Sequence, residues 1–453
     1  LLLWSGMTAL CGVAANFLQL LAFRFGVGIG EAGCSPTAHS LLADYFPKEK
    51  RATALAIYSM GISIGTLLGF VVGGFVAEKY GWRAAFMVAG LPGLFFAVLA
   101  LFSLVEPRSK LSQDARAAYN AAGHMPLRMV FTVLEQRPTF WLFALGGAIT
   151  SYVSYAHAQF FLPLYLRNYT PELTSLATSV GIDATGPKGP YFFTNLGLGL
   201  VAGFGGAFGS WLGGVLADKL GAKNVKNYAL FPLLVPFLSL PCLWWAFGTH
   251  NMLLAFFLLL IPNIGVGAWW GPVYGGVQGL VPPSMRAISA AILLFTINVI
   301  GLLGGPTTFG LVTTWMTTHD LAGTGLDAHT CTTAIGAAKA TCAAAAAQGI
   351  KTTAYLSTAV IPLAMLCFFV SRWTLKRDFE RAETVPAQPM PAGRLAFYLA
   401  IVGAWSGGFL GNASAMFFAH PPHMLWVYGL VIGAVVSAAW GLMVAGTGRK
   451  AHA

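Results

Sequence analysis

The fold is decided by two short stretches, Phe46-Pro47-Lys48-Glu49-Lys50-Arg51-Ala52 and Val281-Pro282-Pro283-Ser284-Met285-Arg286-Ala287. Both read Pro-x-x-x-Arg-Ala, and their arginines stand at 51 and 286, an offset of 235 positions. Each stretch joins two apolar segments. Because internal repeats in a polytopic chain are typical of secondary transporters, the pair predicts two duplicated helix bundles.

The helices on either side of the two stretches also correspond. Chance is the alternative explanation, since glycine and proline are common in membrane helices. The matching features are Gly28-Ile29-Gly30 with Pro36 and Gly265-Val266-Gly267 with Pro272 on the preceding helices, and Gly61, Gly65, Gly69 and Gly301, Gly304, Gly305 on the following ones.

The offset also predicts what the first copy lacks. The second copy begins near residue 139, so its partner would begin well before Leu1. The motif-bearing stretch from Gly213 to Gly221 likewise has its repeat partner upstream. We therefore expect an N-terminally truncated first bundle that lacks its first two helices, and a complete second bundle.

Composition places the chain in a bilayer. Its 453 residues are 57% hydrophobic and 9% charged, whereas roughly a quarter of residues are charged in soluble domains. A spanning helix needs about 20 apolar residues. The apolar runs predict twelve spans, near 1–15, 18–43, 52–77, 84–105, 139–163, 189–217, 227–248, 252–280, 286–315, 353–375, 394–418 and 422–446.

Basic residues orient these spans. With residue 1 at the cytoplasmic surface, the inside loops hold nineteen of the 26 Lys and Arg residues and the outside loops six. The excess of positive charge inside favours this orientation. The net charge of +11 is not gathered on one face beside a nucleic-acid motif, so we expect no nucleic-acid partner.

The spans predict an all-α polytopic membrane protein with four regions. An outside loop over 316–352 makes a Cys331–Cys342 disulfide the expectation, with two free thiols as the alternative. Its stretch 336–347 is either a short surface helix or disordered. The regions are an N-terminal bundle over 1–105, a cytoplasmic linker over 106–138, a six-helix C-terminal bundle over 139–376, and a linker with an appended two-helix hairpin over 377–453.

The chain resembles the major facilitator superfamily (MFS) and, within it, the Spinster-like branch. The most specific stretch is Phe23-Arg24-Phe25-Gly26-Val27-Gly28-Ile29-Gly30-Glu31-Ala32-Gly33-Cys34-Ser35-Pro36. The superfamily's loop motif Gly-x-x-x-Asp-x-x-Gly-x-Lys occurs over Gly214 to Lys223. The resemblance implies two pseudo-symmetric bundles around a cavity, with lysophospholipids or sphingosine-1-phosphate as substrates of relatives.

Arg24 and Glu31 are the charged residues well inside a span. An intramembrane charge costs at least about 2.5 to 3.5 kcal/mol, so such residues are rarely idle. Seven positions apart, they lie about 20° from one helix face and about 10 Å apart along its axis, with Ser35 on the same stripe. We expect a shared cavity, where they bind substrate and couple protons. A pair that only braces helices is the alternative.

Weaker candidates complete the site. Asp218 and Lys219, at an inner helix end, are expected to form a gating latch, with a solvated helix end as the alternative. His39 and His157 could shuttle protons, although a lone histidine is more often a packing residue. Polar residues that could line the opposite cavity wall, or merely tie helices together, are Tyr155, Gln159, Asn195, Asn263 and Asn298.

The sequence therefore predicts a secondary active transporter, not an enzyme. We expect a monomer in a bacterial inner membrane, in contact with membrane lipids, that moves a lipid-like or organic-anion substrate and is proton-coupled or facilitative. No cofactor or metal is expected. The alternatives are a truncated non-transporting membrane protein or sensor and, with less support, a membrane-embedded lipid-modifying enzyme or a channel.

Overall fold

The structure, a computed structural model, is helical and contains no strand over the residues that it describes. The described residues are 1–103, 126–181, 188–326, 330–333, 335–382 and 388–401, with single positions at 384, 386, 403, 404 and 437. The appended hairpin predicted at 394–418 and 422–446 lies almost entirely outside these residues.

One helix of the first bundle begins with a side-chain cap that its sequence supplies. Asn16 caps the second helix by accepting the backbone N–H of Gln19 at 2.9 Å, and the Gln19 side chain accepts the N–H of Ala15 at 2.8 Å. This reciprocal pair satisfies donors that the helix start leaves unpaired. The helices are α1 (Leu2–Cys11), α2 (Phe17–Ala32), α3 (Cys34–Tyr45), α4 (Arg51–Leu68), α5 (Gly74–Tyr80) and α6 (Trp82–Ser103).

A similar cap occurs in the second half of the chain. Asn251 caps the start of a helix by accepting the N–H of Leu254 at 3.0 Å. The helices are α7 (Leu127–Glu135), α8 (Pro138–Asn168), α9 (Thr170–Ser179), α10 (Lys188–Lys223), α11 (Leu230–Gly248), α12 (Met252–Ala268), α13 (Trp270–Gln278), α14 (Arg286–Ile297), α15 (Gly305–Asp320), α16 (Gly336–Ser357), α17 (Ile361–Glu380) and α18 (Ala392–Ile401).

Each of the first ten predicted spans coincides with helix. Seven continuous helical stretches are long and apolar enough to cross a membrane, among the described residues. The predicted span 18–43 is divided at Gly33 and the span 252–280 at Trp269. Each break lies three residues before a proline, Pro36 or Pro272, because proline lacks an N–H and its ring clashes with the carbonyl four residues earlier.

The two bundles pack against each other in matched pairs. Helix α3 of the first bundle packs on α14 of the second, and α13 of the second packs on α4 of the first. The offset of 235 relates α3 to α13 and α4 to α14, so each of these two contacts is the repeat equivalent of the other. The structure thus shows, in its packing, the pseudo-symmetry that the repeat predicts. We call the end that carries Arg51 and Arg286 the inner end, since it is the one predicted to face the cytoplasm.

Glycines allow the closest helix contacts. A Cβ added at Gly209 would lie 1.9 Å from the Ile264 carbonyl oxygen, and one at Gly213 would lie 2.1 Å from that of Ala268. Helices α10 and α12 therefore meet backbone to backbone. In a bilayer, where burial against lipid gives little gain, such close packing is a main source of helix association.

The inter-bundle linker contains a helix that our sequence analysis did not anticipate. Helix α7 turns Val130, Phe131 and Leu134 inward, and the apolar spacing of these residues is the signal for it. Helix α18 lies against it: Leu395 is fully buried beside Phe131, and the Met390 N–H donates to Thr132 Oγ1 at 2.7 Å. The start of the appended segment is thereby docked on the linker.

The long loop predicted over 316–352 is also largely helical. Helix α15 extends to Asp320 and α16 begins at Gly336, in the alanine-rich stretch. Alanine has the highest helix propensity, so of the two alternatives for 336–347 the helix is the one found. Cys331 and Cys342 are joined by a disulfide whose Cα atoms lie 5.6 Å apart.

Candidate functional site

Four of the predicted site residues line one cavity. Glu31 and Ser35 approach it from the first bundle, Tyr155 and Asn298 from the second. The cavity measures about 1080 Å³, which is ample for a drug-sized ligand. We call this space the acidic cavity, because Glu31 and Glu135 are the charged residues among its described lining.

Arg24 does not share that cavity, contrary to our expectation. Its exposed guanidinium lies over the ring of Phe86, 5.2 Å from the ring centroid. No ion pair joins Arg24 to Glu31 within the described chain. The reason is geometric: seven residues advance about 10 Å along the helix, which brings Arg24 beside α6, where an aromatic ring can hold the cation.

A second cavity lies between α4 of the first bundle and several helices of the second. It measures about 210 Å³, and Tyr155 lines both cavities. Hydroxyl, imidazole and amide groups supply its polar atoms, and its described lining carries no Asp, Glu, Lys or Arg. We call it the neutral cavity. Its polar lining residues are Ser63, Thr66, Thr150, Ser151, Ser154, Tyr155, His157, Ser239 and Asn263.

Of the remaining residues predicted to line a cavity, one does so and two do not. Asn263 lines the neutral cavity, and its side-chain amide donates to the Leu259 carbonyl at 2.8 Å. Gln159 and Asn195 line neither cavity. Asn298 begins a π-helical segment, Asn298–Gly304. Segments of this kind are frequent at functional sites because they displace side chains from the regular helical positions.

Asp218 forms hydrogen bonds that join the two bundles. The side chain of Asp218 is 6% exposed, and its two carboxylate oxygens accept the backbone N–H groups of Ala52 at 3.1 Å and Thr53 at 2.7 Å. These donors lie at the start of α4, where the helix dipole favours a negative charge. A carboxylate of the second bundle thus caps a helix of the first. Lys219 is exposed and takes no part in this contact.

The same inner end holds further contacts between the bundles. Arg286 of the second bundle forms an ion pair with Asp44 of the first at 3.3 Å, an interaction that our sequence analysis missed. Nearby, an added Cβ at Gly275 would lie 3.0 Å from the Cβ of Ala52. Polar contacts and a seam of small residues therefore close the bundles against each other here.

The described residues contain no group of three or more His, Cys, Asp or Glu side chains arranged to hold a metal ion. His157 lies in the second bundle with 5% of its surface exposed, and its Nε2 is 2.8 Å from Ser357 Oγ. This histidine is therefore a hydrogen-bonded packing residue that also lines the neutral cavity. It is not part of an acid–base pair with a carboxylate.

Comparison with known proteins agrees with this architecture. The model of the Major Facilitator Superfamily matches residues 1–306. The chain is 28% identical over 305 residues to an MFS-type efflux pump of Mycolicibacterium smegmatis, covering 67% of this chain and 65% of the pump. It is 26% identical over 315 residues to protein spinster homolog 1 of Rattus norvegicus, covering 66% of this chain and 56% of that protein.

A solved structure is similar as well. It is the crystal structure of a bacterial homologue of the human lysosomal transporter Spinster, in an inward-facing and unoccupied conformation. The TM-score is 0.60 at 26% sequence identity, with 83% of this chain and 82% of that chain covered. The chain thus spans less than two thirds of the length of the two curated relatives named above and most of this homologue.

Proposed function

The chain belongs to the major facilitator superfamily and resembles its Spinster proteins, and from this premise we propose that it moves an amphiphilic small molecule across a membrane by alternating access. The observation that carries the proposal is the contact of Asp218 with the start of α4. It joins the two bundles at the inner end through two hydrogen bonds, beside the Asp44–Arg286 ion pair and the apolar contacts of Ala52 and Leu55 with the second bundle. Such a contact can be made and broken as the bundles rock.

The cavity linings support a lipid-like substrate over an organic anion. The neutral cavity offers an apolar space with a few polar groups, which suits the body of an amphiphile. The acidic cavity offers Glu31, and neither described lining contains Lys or Arg. Arg24, the residue that would have received an anion, lies on Phe86 instead.

Glu31 is the residue that we assign to coupling. It lies within a helix of the first bundle and faces a cavity that the second bundle closes with Tyr155 and Asn298. A carboxylate in such a place can exchange a proton when the cavity changes its access to water. We therefore favour proton coupling over facilitated movement. Arg24 becomes a secondary candidate for substrate binding and coupling.

The setting of this carrier is also part of the proposal. The excess of Lys and Arg on the inside loops supports a multi-pass protein of a bacterial inner membrane with its inner end in the cytoplasm. The two bundles supply both walls of the cavities. A single chain is therefore sufficient to form the path, which supports a monomer.

Uptake into proteoliposomes tests this proposal. The full chain is reconstituted and offered lysophospholipids, long-chain amines and hydrophobic carboxylates, with and without a pH gradient. We expect uptake of a lipid-like amphiphile that the gradient stimulates, and loss of that stimulation in Glu31→Gln. The matched control is Glu172→Gln, because Glu172 lies exposed on α9. Binding without uptake in every arm would favour the sensor alternative, and equal stimulation in Glu31→Gln would refute the role of Glu31.

A further inference from the structure

One buried histidine at the inner end has a ring nitrogen without a partner. His39 lies on α3 with 2% of its surface exposed, and its Nδ1 has no hydrogen-bond partner among the described residues. Its ring packs against Tyr274 of the second bundle, with centroids 4.6 Å apart, and against Tyr58, with centroids 5.5 Å apart. A buried polar atom that lacks a partner is costly and calls for an explanation.

His39 contacts its own equivalent in the second repeat. Tyr274 lies 235 positions after His39, which is the offset that relates Arg51 to Arg286. Equivalent residues of two repeats can touch only where the pseudo-two-fold axis passes between them. His39 and Tyr274 therefore lie at the axis, where the two bundles meet, and a separation of the inner ends that reaches this depth parts these rings.

The surroundings of His39 supply no ion-pair partner among the described residues. Titratable groups face it from α4 through Tyr58 and from α13 through Tyr274. Helix α14 brings Arg286, whose charge is shared with the Gln278 carbonyl and Asp44. Helix α2 brings Glu31, which lines the acidic cavity. No described carboxylate forms an ion pair with His39, so an imidazolium would be buried there without a counter-charge.

From this geometry we propose that His39 is the proton-responsive residue of the inner gate, and that its protonation drives the inner ends of the two bundles apart. The neutral ring fits the closed seam between Tyr58 and Tyr274. The imidazolium requires an acceptor at each nitrogen, and only opening of the seam brings water to Nδ1. The inference rests on the proposed carrier function, and it adds a second proton site to Glu31.

The test measures gate opening and not transport. Spin labels are placed at Lys50→Cys and Lys223→Cys, which are exposed positions on the inner ends of the first and second bundles. The background replaces the four free cysteines, Cys11, Cys34, Cys242 and Cys367, with serine. Distance distributions are recorded for the full chain in nanodiscs from neutral to acidic pH. We expect the short distance to give way to a longer one as the pH falls.

Two substitutions at His39 decide the outcome. His39→Phe keeps an aromatic ring in the seam and removes the titrating group, so the short distance should persist at every pH. His39→Asn should also lose the pH dependence. The control, His319→Gln, replaces an exposed histidine and should behave as the unsubstituted chain. Either a pH-independent distance in the unsubstituted chain or an unchanged titration in both His39 variants would overturn the inference.

A further measurement covers the case in which the His39 variants fail to fold. The imidazole resonances of the unsubstituted chain can be followed by NMR across the same pH range. We expect the His39 signal to change in step with the spin-label distance. Titration of His39 while the gate stays closed would overturn the inference. Since neither measurement uses a substrate, absence of uptake would count against the proposed carrier and not against this gate.

Discussion

Arg51 and Arg286 make the same contact in the two halves of the molecule. The Nε of Arg51 donates to the carbonyl of Ala43 at 3.0 Å, and the Nε of Arg286 donates to that of Gln278 at 3.3 Å, in both cases eight residues earlier. Donor and acceptor thus keep the offset of 235. The sequence repeat therefore corresponds to a repeated local structure, in which an arginine closes the turn between two helices.

The two arginines also make different contacts, since Arg51 Nε donates in addition to the Phe46 carbonyl at 3.1 Å, and the contact of Arg286 yields a first prediction. Arg286 also pairs with Asp44 across the bundles. Arg286→Ala should lower the free energy of unfolding by about 2 kcal/mol, because removal of the guanidinium leaves the Gln278 carbonyl and the Asp44 carboxylate without this donor. Thermal unfolding of the purified chain in detergent measures this. Lys376→Ala, which removes an exposed pair with Glu380, should change it little, and an equal loss in both variants would contradict the assignment.

Removal of the Asp218 carboxylate should open the inner end. Asp218→Ala leaves the N–H groups of Ala52 and Thr53 without their acceptors, and loss of a helix cap costs about 1 kcal/mol. The population of the long inner-end distance, measured with the Lys50 and Lys223 spin labels, should therefore rise by about fivefold. Lys219→Ala is the control. If Asp218→Ala keeps the distribution of the unsubstituted chain, the latch is wrong.

Two glycines should respond in opposite ways to the same substitution. Gly209→Ala places a Cβ against the Ile264 carbonyl, whereas nothing lies within 4 Å of a Cβ added at Gly65. Overpacking should cost Gly209→Ala about 1 to 3 kcal/mol, and Gly65→Ala should be neutral or slightly stabilising. Thermal unfolding of both variants checks this. Equal melting temperatures would show that the α10–α12 contact is looser than described.

The docked segment should be released by one truncation. Leu395 is fully buried against Phe131, whereas Phe397 is 62% exposed. Leu395→Ala should loosen α18 from α7, since removal of a buried leucine side chain costs about 2 to 5 kcal/mol. Limited proteolysis between residues 382 and 391 should then become faster, with Phe397→Ala as the control. Unchanged cleavage of Leu395→Ala would mean that α18 is held by other contacts.

The sequence predicted the helices and the repeat because both are local properties. Apolar run length gives a span, and a repeated Pro-x-x-x-Arg-Ala turn gives a repeated contact. The sequence indicated Asp218 as a candidate latch, but its partners at the start of α4 came only from the structure. These features depend little on how distant helices are oriented.

The parts that the sequence did not predict depend on packing between helices. Arg24 and Glu31 share a stripe, yet Arg24 lies over Phe86 of another helix and Glu31 lines a cavity, which the spacing alone does not reveal. The role of Asp44 likewise required knowing that α3 meets α14. The helix at 127–135 is an exception, since its apolar spacing was present and was overlooked.

The central claim is that transport requires the inner ends to separate. A cysteine pair, Ala52→Cys with Gly275→Cys, joins them, because their Cβ atoms would lie 3.0 Å apart, within a small adjustment of the usual spacing of about 3.8 Å. Uptake is measured in proteoliposomes after oxidation and again after reduction, with each single variant as control. The account predicts that only the oxidised pair loses uptake and that reduction restores it; full uptake by the cross-linked chain would contradict the account.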